Sequence, residues 1–208
     1  GAGLNYNHTF GSVHDLAVRL FYNHSSETVP GDNPDYKYQG LAMRAQYGFN
    51  KRYYAEVTAS YQGSSNYRSG KRTGFFPAVG LAWVASDEKW LQSAEAIDFL
   101  KFRVSYGVNG NDQTGGRRFP YRQEFTSSGG YAFGNPNGST DGSQEGVLAN
   151  PDETWEKSYK FNVGFDLELW RGLSFTMNYF NEKRRDVLVD YSNIVPSLIG
   201  IGLSKYNG

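Results

Sequence analysis

Two carboxylates in this sequence have a spacing that suits glycoside hydrolysis. Asp166 and Glu168 lie two residues apart in a stretch of alternating polar and apolar residues, which puts them on one face of a β-strand, roughly 7 Å apart. Inverting glycosidases hold two carboxyl groups at about that separation. However, Lys160 shares the polar face, and no Gly-x-Ser-x-Gly elbow or Ser/His pairing accompanies it. We interpret the pair as structural and expect no enzymatic activity.

Other groups with possible ligand chemistry do not form a recognisable site. The chain has no cysteine, and its histidines, His8, His14 and His24, have no acidic partner at a ligand-like spacing. Asp32-Asn33-Pro34-Asp35 offers oxygen ligands without the spacing of a calcium loop. Gly200-Ile201-Gly202 has Lys205 where a dinucleotide-binding motif has its third glycine. We therefore expect no metal and no cofactor.

The composition points to many β-strands joined by turns. Lys and Arg total 21 and so do Asp and Glu, so a basic nucleic-acid-binding surface is not expected. Aromatic residues make up 16% and glycines number 25, which favours strands and turns. No apolar run is long enough for a transmembrane helix. The mean hydropathy of −0.61 is compatible with barrel strands, whose residues alternate between lipid and lumen. The first residues do not form a signal peptide, which suggests a processed chain or a fragment.

The strand pattern has a period of two residues. Tyr53, Ala55, Val57, Ala59 and Tyr61 alternate with Arg52, Tyr54, Glu56, Thr58, Ser60 and Gln62. This alternation puts apolar groups on one sheet face and polar groups on the other. Most of the predicted strands are long enough for the roughly 9–11 residues that a tilted strand needs to cross a bilayer. Eight strands are predicted, at 4–10, 13–24, 36–49, 52–62, 72–85, 99–109, 157–170 and 173–189.

Short and long connections between these strands alternate, as they do in outer-membrane barrels. The short ones, at 11–12, 50–51 and 171–172, are expected to face the periplasm, and the long ones, at 25–35, 63–71 and 110–156, to face outside. Segment 87–98 is predicted to form a short periplasmic helix. The predicted fold is therefore all-β, an antiparallel up-and-down transmembrane β-barrel.

Aromatic side chains supply the candidate functional residues. Amphipathic rings favour the two membrane interfaces, and six of them fall on apolar strand faces: Tyr53, Tyr61, Trp83, Tyr106, Tyr159 and Tyr179. The long loop 110–156 is expected to be functional. Its aromatic residues, weak candidates for contacts with a substrate, are Tyr121, Phe125, Tyr131 and Phe133.

Several motifs in order resemble one transporter family. They are TGFFPAVGLAWVASDEKWL (73–91), LKFRVSYGVNGN (100–111) and NPDETWEKSYKFNVGFDLELWRGLSFTMNYFNEKRRDVL (150–188), followed by Val195-Pro196 and a glycine-rich tail. Together they resemble the barrel of SusC/RagA-type TonB-dependent transporters. The resemblance is specific over residues 72–208 and only general over 1–71.

The resemblance implies a nutrient importer in the outer membrane of a Gram-negative, Bacteroidota-like bacterium. Such barrels have about 22 strands, so residues 1–208 are expected to be a partial barrel domain, without the plug domain, the TonB-contacting segment and the closing strands. The implied partners are membrane lipids, a SusD-like lipoprotein, TonB through the plug, and an oligosaccharide or peptide substrate.

Two other interpretations stay open at this stage. One is a complete eight-stranded outer-membrane barrel with a structural or adhesion role, although the small residues on its polar faces would not fill a narrow interior. The other is a soluble β-sandwich that binds carbohydrate, whose strands would also alternate.

Overall fold

The computed structural model describes residues 1–28, 34–113, 117–133, 138–189 and 205–207. Within these ranges the regular secondary structure is almost entirely β-strand, as the two-residue period predicts. Eight long strands agree with the predicted ones to within about three residues at most ends. The strands are β1 (Ala2–Phe10), β2 (His14–Glu27), β3 (Tyr36–Phe49), β4 (Tyr53–Ser64), β5 (Thr73–Val84), β6 (Ile97–Asn111), β7 (Phe125–Phe133), β8 (Gly138–Glu145), β9 (Glu156–Leu169), β10 (Leu173–Arg185), β11 (Leu188–Val189) and β12 (Tyr206–Asn207).

The long strands form one antiparallel sheet in the order β1-β2-β3-β4-β5-β6-β9-β10. Each strand pairs with the next one along the chain, except that β9 follows β6 in the sheet. β1 and β10 lie at the two edges, so the described chain does not close into an eight-stranded barrel. The interpretation as a complete small barrel is therefore wrong, and a slice of a larger barrel wall fits this topology.

Tight turns connect the strands at one edge of the sheet, which we call the turn edge. Their central residues have positive φ angles at Gly11 and Ser12, at Asn50 and Lys51, and at Trp170 and Arg171. Two consecutive residues in this conformation match the right-handed twist of the flanking strands. The third turn lies one residue earlier than predicted, and the Asp98 carboxylate braces it by accepting a hydrogen bond from Arg171 N at 2.5 Å.

The opposite edge, the loop edge, carries the longer connections, as the alternation of loop lengths predicts. The loop 110–156 is not wholly irregular, because β7 and β8 form a separate two-stranded hairpin within it.

The predicted helix at 87–98 is wrong: Ala85–Asp87 forms a single 3₁₀ turn, and hydrogen-bonded turns follow it. The Glu88 side chain is bound by neighbouring strands, which holds this short segment against the sheet. The eighth predicted strand ends at Arg185 instead of 189, and β11 pairs with β12.

Candidate functional site: the two faces and the loop edge of the sheet

Most apolar positions of the eight strands lie on one face of the sheet. A row of directly paired residues crosses this face through Tyr6, Val18, Ala45, Val57, Val79, Tyr106, Phe161 and Asn181. The side chains of its centre are open, with Val57 47% and Val79 45% exposed. No second sheet layer covers this face in the described ranges, so the two-layer sandwich is wrong.

The predicted interface aromatics all lie on this apolar face. Tyr53 is at the turn edge, paired with Phe49 and Trp83, and Tyr61 is near the loop edge, paired with Phe75. Eight residues separate the two tyrosines, which is roughly 26 Å along the strand, and the apolar side chains between them are small or aliphatic. Of the other three, Tyr106 pairs with Val79 and Phe161, Tyr159 pairs with Val108 and Lys183, and Tyr179 pairs with Val163. A lipid-interface role for these six residues stays a prediction.

A carboxylate fixes the aromatic side chains at the turn edge. Glu88 accepts hydrogen bonds from the Tyr53 hydroxyl and from Trp83 Nε1 at 3.3 Å, and it lies 3.5 Å from Arg52 Nη1. The hydrogen bond from Tyr53 holds the pKa of the Glu88 carboxyl below its usual range. Glu88 therefore ties the segment after β5 to the strands beside it.

The opposite face is polar and carries ion pairs. The adjacent row of paired residues runs through Asn5, Arg19, Arg44, Thr58, Ala78, Gly107, Lys160 and Glu182. Arg44 Nη2 donates to Glu56 Oε2 at 2.8 Å, and Gln46 Nε2 donates to the same oxygen at 2.8 Å. Beside them lies a depression of about 920 Å³ that reaches Gly80, Arg103 and Ser105. This face has the character of a hydrated wall.

Asp166, one of the two carboxylates with glycosidase-like spacing, belongs to a hydrogen-bonded group. Its carboxylate accepts from Arg103 Nη1 at 2.9 Å and from Thr176 Oγ1 at 3.0 Å. Arg103 Nη2 also donates to Asn178 Oδ1 at 2.9 Å, across the intervening strand. Gly164 pairs with Arg103 on one neighbouring strand and with Asn178 on the other. Because Gly164 has no side chain, the two longer side chains have room to meet above it. Sequence reasoning missed this use of the glycine.

The ladder between β5 and β6 stops short of the loop edge. It joins Val84–Lys101 through Ala78–Gly107, whereas Thr73 to Pro77 pair only with β4 and Val108 to Asn111 pair only with β9. The ladder ends next to Pro77, which has no N–H to donate, and proline in a sheet is confined to such edge positions. We call the open stretch between residues 73–77 and 108–111 the seam.

Three aromatic side chains fill the seam. Tyr67, Phe76 and Trp155 form the buried apolar cluster of the described chain, and Tyr38 and Val108 pack against it. The Phe76 ring lies 5.3 Å from that of Trp155, and Tyr67 lies 5.5 Å from Trp155. These rings come from three different segments, so the wall is closed here by packing of side chains.

Hydrogen bonds from loop side chains bridge the seam where ladder bonds are missing. The Asn66 amide donates to Asp112 O at 3.2 Å, and the Tyr67 hydroxyl donates to Asn111 O at 3.4 Å. Trp155 Nε1 donates to Arg72 O at 3.2 Å. Each bond links the segment before β5 either to the end of β6 or to the residue that precedes β9.

The predicted substrate-contacting aromatics lie beyond this cluster. Tyr121 is half-buried and packs edge-on against Phe119, with ring centroids 6.4 Å apart, whereas Phe125 at the start of β7 is 66% exposed. The side chains of Tyr131 and Phe133 lie outside the described residues. The hairpin base is braced by Arg117, which donates to the carbonyls of Leu148 and Arg122, both at 3.1 Å. Of the four predicted contacts, the structure thus describes the side chains of Tyr121, packed against Phe119, and of Phe125, which is largely exposed.

A buried carboxylic acid, Glu153, lies two residues before Trp155 in the segment that leads into β9. Glu153 is only 3% exposed, and its Oε1 has no hydrogen-bond partner within the described part of the chain. The pKa of Glu153 is raised to about 7, mainly by burial and in part by the Glu156 carboxylate, while the positive charges of Arg117 and Lys205 oppose the shift. Nothing in the sequence marked this residue.

The residues weighed for metal binding do not come together. His14 Nδ1 lies 2.7 Å from the Tyr47 hydroxyl, and His8 packs edge-on against Phe10. Within the described ranges, no cluster of three or more His, Asp or Glu side chains is arranged to hold a metal ion. Asp32, Asn33 and Gly200 to Ser204 lie outside those ranges. None of the described helical segments is long and apolar enough to cross a membrane.

The sequence matches the family described as TonB dependent receptor-like, beta-barrel over residues 1–206. Among curated proteins, the chain is 27% identical over 204 residues to a TonB-dependent receptor of Formosa agariphila, covering 98% of this chain and 18% of the relative. It is 30% identical over 132 residues to the TonB-dependent receptor SusC of Bacteroides thetaiotaomicron, covering 62% of this chain and 13% of the relative.

Solved structures share the same sheet. The structure of the RagAB peptide transporter matches with a TM-score of 0.81 and 21% identity, covering 99% of this chain and 25% of that chain. The closed-closed state of the RagAB peptide importer matches with a TM-score of 0.82 and 20% identity over the same shares. At this identity the likeness shows the fold alone. The chain spans less than a fifth of the two curated relatives' length, and about a quarter of the transporter chain.

Proposed function

The chain belongs to the TonB-dependent receptor-like β-barrel family, and we propose on that premise that it forms part of the wall of an outer-membrane importer. Residues 1–208 are then a partial barrel domain whose apolar face contacts lipid and whose polar face lines the passage. The single observation that supports this proposal is the uncovered apolar face, which runs through paired residues from β1 to β9. A face of this extent on a soluble protein would mark an interaction surface or an aggregation hazard.

The proposed cargo is an oligosaccharide or a peptide, taken up with energy that TonB supplies through a plug domain elsewhere in the receptor. A SusD-like lipoprotein is the proposed partner at the loop edge, in a Gram-negative outer membrane of the Bacteroidota kind. Loop 110–156 is the proposed extracellular loop, with Tyr121, Phe125, Tyr131 and Phe133 as candidate contacts. No step in this proposal calls for catalysis or a cofactor.

Cysteine substitutions along β4 test the proposed membrane position. The chain has no native cysteine, so Val57→Cys and Thr58→Cys each place one thiol in it, on opposite faces of the sheet. In the full receptor embedded in lipid, a lipid-soluble maleimide is expected to label position 57, and a water-soluble one position 58. Water-soluble labelling of both positions would refute the membrane assignment.

Surface labelling of intact cells tests the proposed orientation. With the loop edge outside, Ser65→Cys and Gly138→Cys are expected to react with a membrane-impermeant maleimide, and Lys51→Cys is expected to react only after the outer membrane is permeabilised. Reaction at Lys51→Cys in intact cells would reverse the orientation. Loss of uptake of fluorescently labelled oligosaccharides and peptides on deletion of the receptor gene tests the transport function itself.

A further inference from the structure

The seam between β5 and β6 is held differently from the other strand junctions of the sheet. The β4–β5 ladder continues to Gly63–Thr73, and the β6–β9 ladder continues to Asn111–Glu156, so both neighbouring junctions extend past the point where the β5–β6 ladder ends. Only seven residue pairs join β5 to β6. A tilted strand needs roughly 9–11 residues to cross a bilayer. The seam therefore begins within the membrane-spanning part of the wall or at its loop-side boundary.

The packing within the seam depends on residues that belong to loops. Tyr67 and Trp155 lie outside the strands of the main sheet, and the Trp155 ring contacts both Phe76 and Tyr67. Gly74 and Gly110 leave the space for the Phe76 ring, since a Cβ on either would lie 2.3 Å or 1.9 Å from its Cζ. If the loops moved away, Phe76 would lose its contact with Trp155 and the cluster would come apart.

The same loops carry the β7–β8 hairpin. Residues 117–124 lead into β7 and residues 146–155 lead out of β8 to Trp155, and the two segments are joined by hydrogen bonds from Gly146 N to Glu124 O and from Asn150 N to Pro120 O, at 2.9 Å and 2.8 Å. Lys71 Nζ also donates to Asp152 Oδ1 at 2.8 Å, which links the loop before β5 to the same segment. A displacement of the hairpin base would therefore reach Trp155 and the loop before β5.

We infer that Tyr67, Phe76 and Trp155 form a latch that closes the β5–β6 seam, and that the seam opens when the hairpin-bearing loops move during transport. The inference rests on the proposed transport function. It makes the wall itself, at one identified junction, a moving part of the protein. The unpaired edges at residues 73–77 and 108–111 permit this separation without breaking a ladder.

A reversible cross-link in the full receptor tests whether the seam must open. Asn66→Cys with Asp112→Cys joins the two sides, where the Asn66 amide now donates to Asp112 O. Gly63→Cys with Thr73→Cys is the matched control, because these residues pair across the intact β4–β5 ladder. Oxidation of the 66/112 pair is expected to lower uptake roughly tenfold or more, with recovery on reduction, and oxidation of the control pair should change nothing.

Equal uptake by the oxidised and reduced 66/112 receptor would overturn the latch while leaving the proposed function intact. Absence of uptake by the native receptor, as well as by both forms of the 66/112 pair, would instead count against the proposed function.

Hydrogen exchange on the purified receptor gives a readout that does not need transport. Phe76→Ala is expected to raise exchange at residues 108–111 about tenfold, whereas Val84→Ala, a buried residue in the laddered part of β5, should not. Unchanged exchange in Phe76→Ala, or an equal rise along all of β5 and β6, would also overturn the latch.

Discussion

The Phe76 ring occupies the space that any side chain at position 110 would need. A Cβ on Gly110 would lie 1.9 Å from Phe76 Cζ, far inside van der Waals contact. The ring has little freedom to move away, because it is buried and Trp155 packs against it. Gly110 on β6 and Phe76 on β5 are therefore complementary in size across the seam.

Gly110→Ala is expected to destabilise the receptor by about 1–3 kcal/mol, the usual cost of overpacking a filled site. Gly80→Ala, on the laddered part of β5, is the matched control, since its nearest side-chain neighbour would lie at 3.8 Å. Urea-induced unfolding in detergent measures both variants. In Phe76→Ala the further cost of Gly110→Ala should largely disappear, and strict additivity of the two changes would contradict the packing described here.

Glu153 gives the loop edge a pH dependence of defined sign. Its folded-state pKa of about 7 lies above the ordinary value of 4.5, so the neutral acid is the form that stabilises the fold. That contribution is complete below about pH 4.5 and is lost as the pH rises through about 7, with a total effect of at most about 3 kcal/mol.

Glu153→Gln should remove this dependence and leave the receptor more stable than the native form at pH 8. Thermal midpoints measured between pH 4.5 and pH 8 check the prediction. Glu145→Gln, which replaces an exposed carboxylate on the β7–β8 hairpin, serves as the control for the loss of one charge. Parallel profiles for native protein and Glu153→Gln would show that Glu153 ionises normally.

Neighbouring residues on β4 should differ in the cost of an introduced charge, because they lie on opposite faces of the sheet. Val57→Arg places a cation in the centre of the apolar face and is expected to cost about 2–4 kcal/mol in a lipid bilayer. Thr58→Arg places the same group on the polar face, where the cost should be small. Unfolding from lipid vesicles gives both values, and similar costs for the two variants would argue against lipid contact of the apolar face.

Gly164→Ala should separate Arg103 from Asn178. The new Cβ would lie 2.4 Å from Asn178 Oδ1 and 2.7 Å from Met177 O, so the two side chains could no longer meet above the strand. Loss of that hydrogen bond and the local strain together are expected to cost about 1–3 kcal/mol. Chemical denaturation measures the loss, with Gly80→Ala again as the control, and equal stability of both variants would refute the role assigned to Gly164.

Much of the fold follows from the two-residue period, because a strand with one face in lipid and one in water must alternate along its whole length. Strand boundaries, short turns and the composition of each face could therefore be predicted. The structure of the loop interiors could not be predicted, since their residues do not alternate between two environments. The β7–β8 hairpin is rich in Gly and Ser, so its sequence shows little alternation of polar and apolar residues. Segment 87–98 has helix-forming residues, but the contacts of Glu88 with the neighbouring strands override that preference.

The candidate site was less predictable than the fold. In the sequence, Phe76 and Pro77 stand out only as part of a motif. Their roles become clear only once β6, with Gly110, is known to lie beside them. Glu153 is similar, because burial by distant segments sets its pKa. Neither relationship has a local pattern, so pairing across the sheet was needed to find them.

The order of the strands also bears on how the sheet is assembled. Six of its seven junctions join strands linked by connections of about a dozen residues or fewer, so these pairs form by local chain closure. Only the junction of β6 with β9 must close a long loop, because residues 112–155 separate the two strands in the sequence. Closing a longer loop costs more conformational entropy, so this junction is expected to form last, joining a β1–β6 sheet to an already paired β9–β10 hairpin.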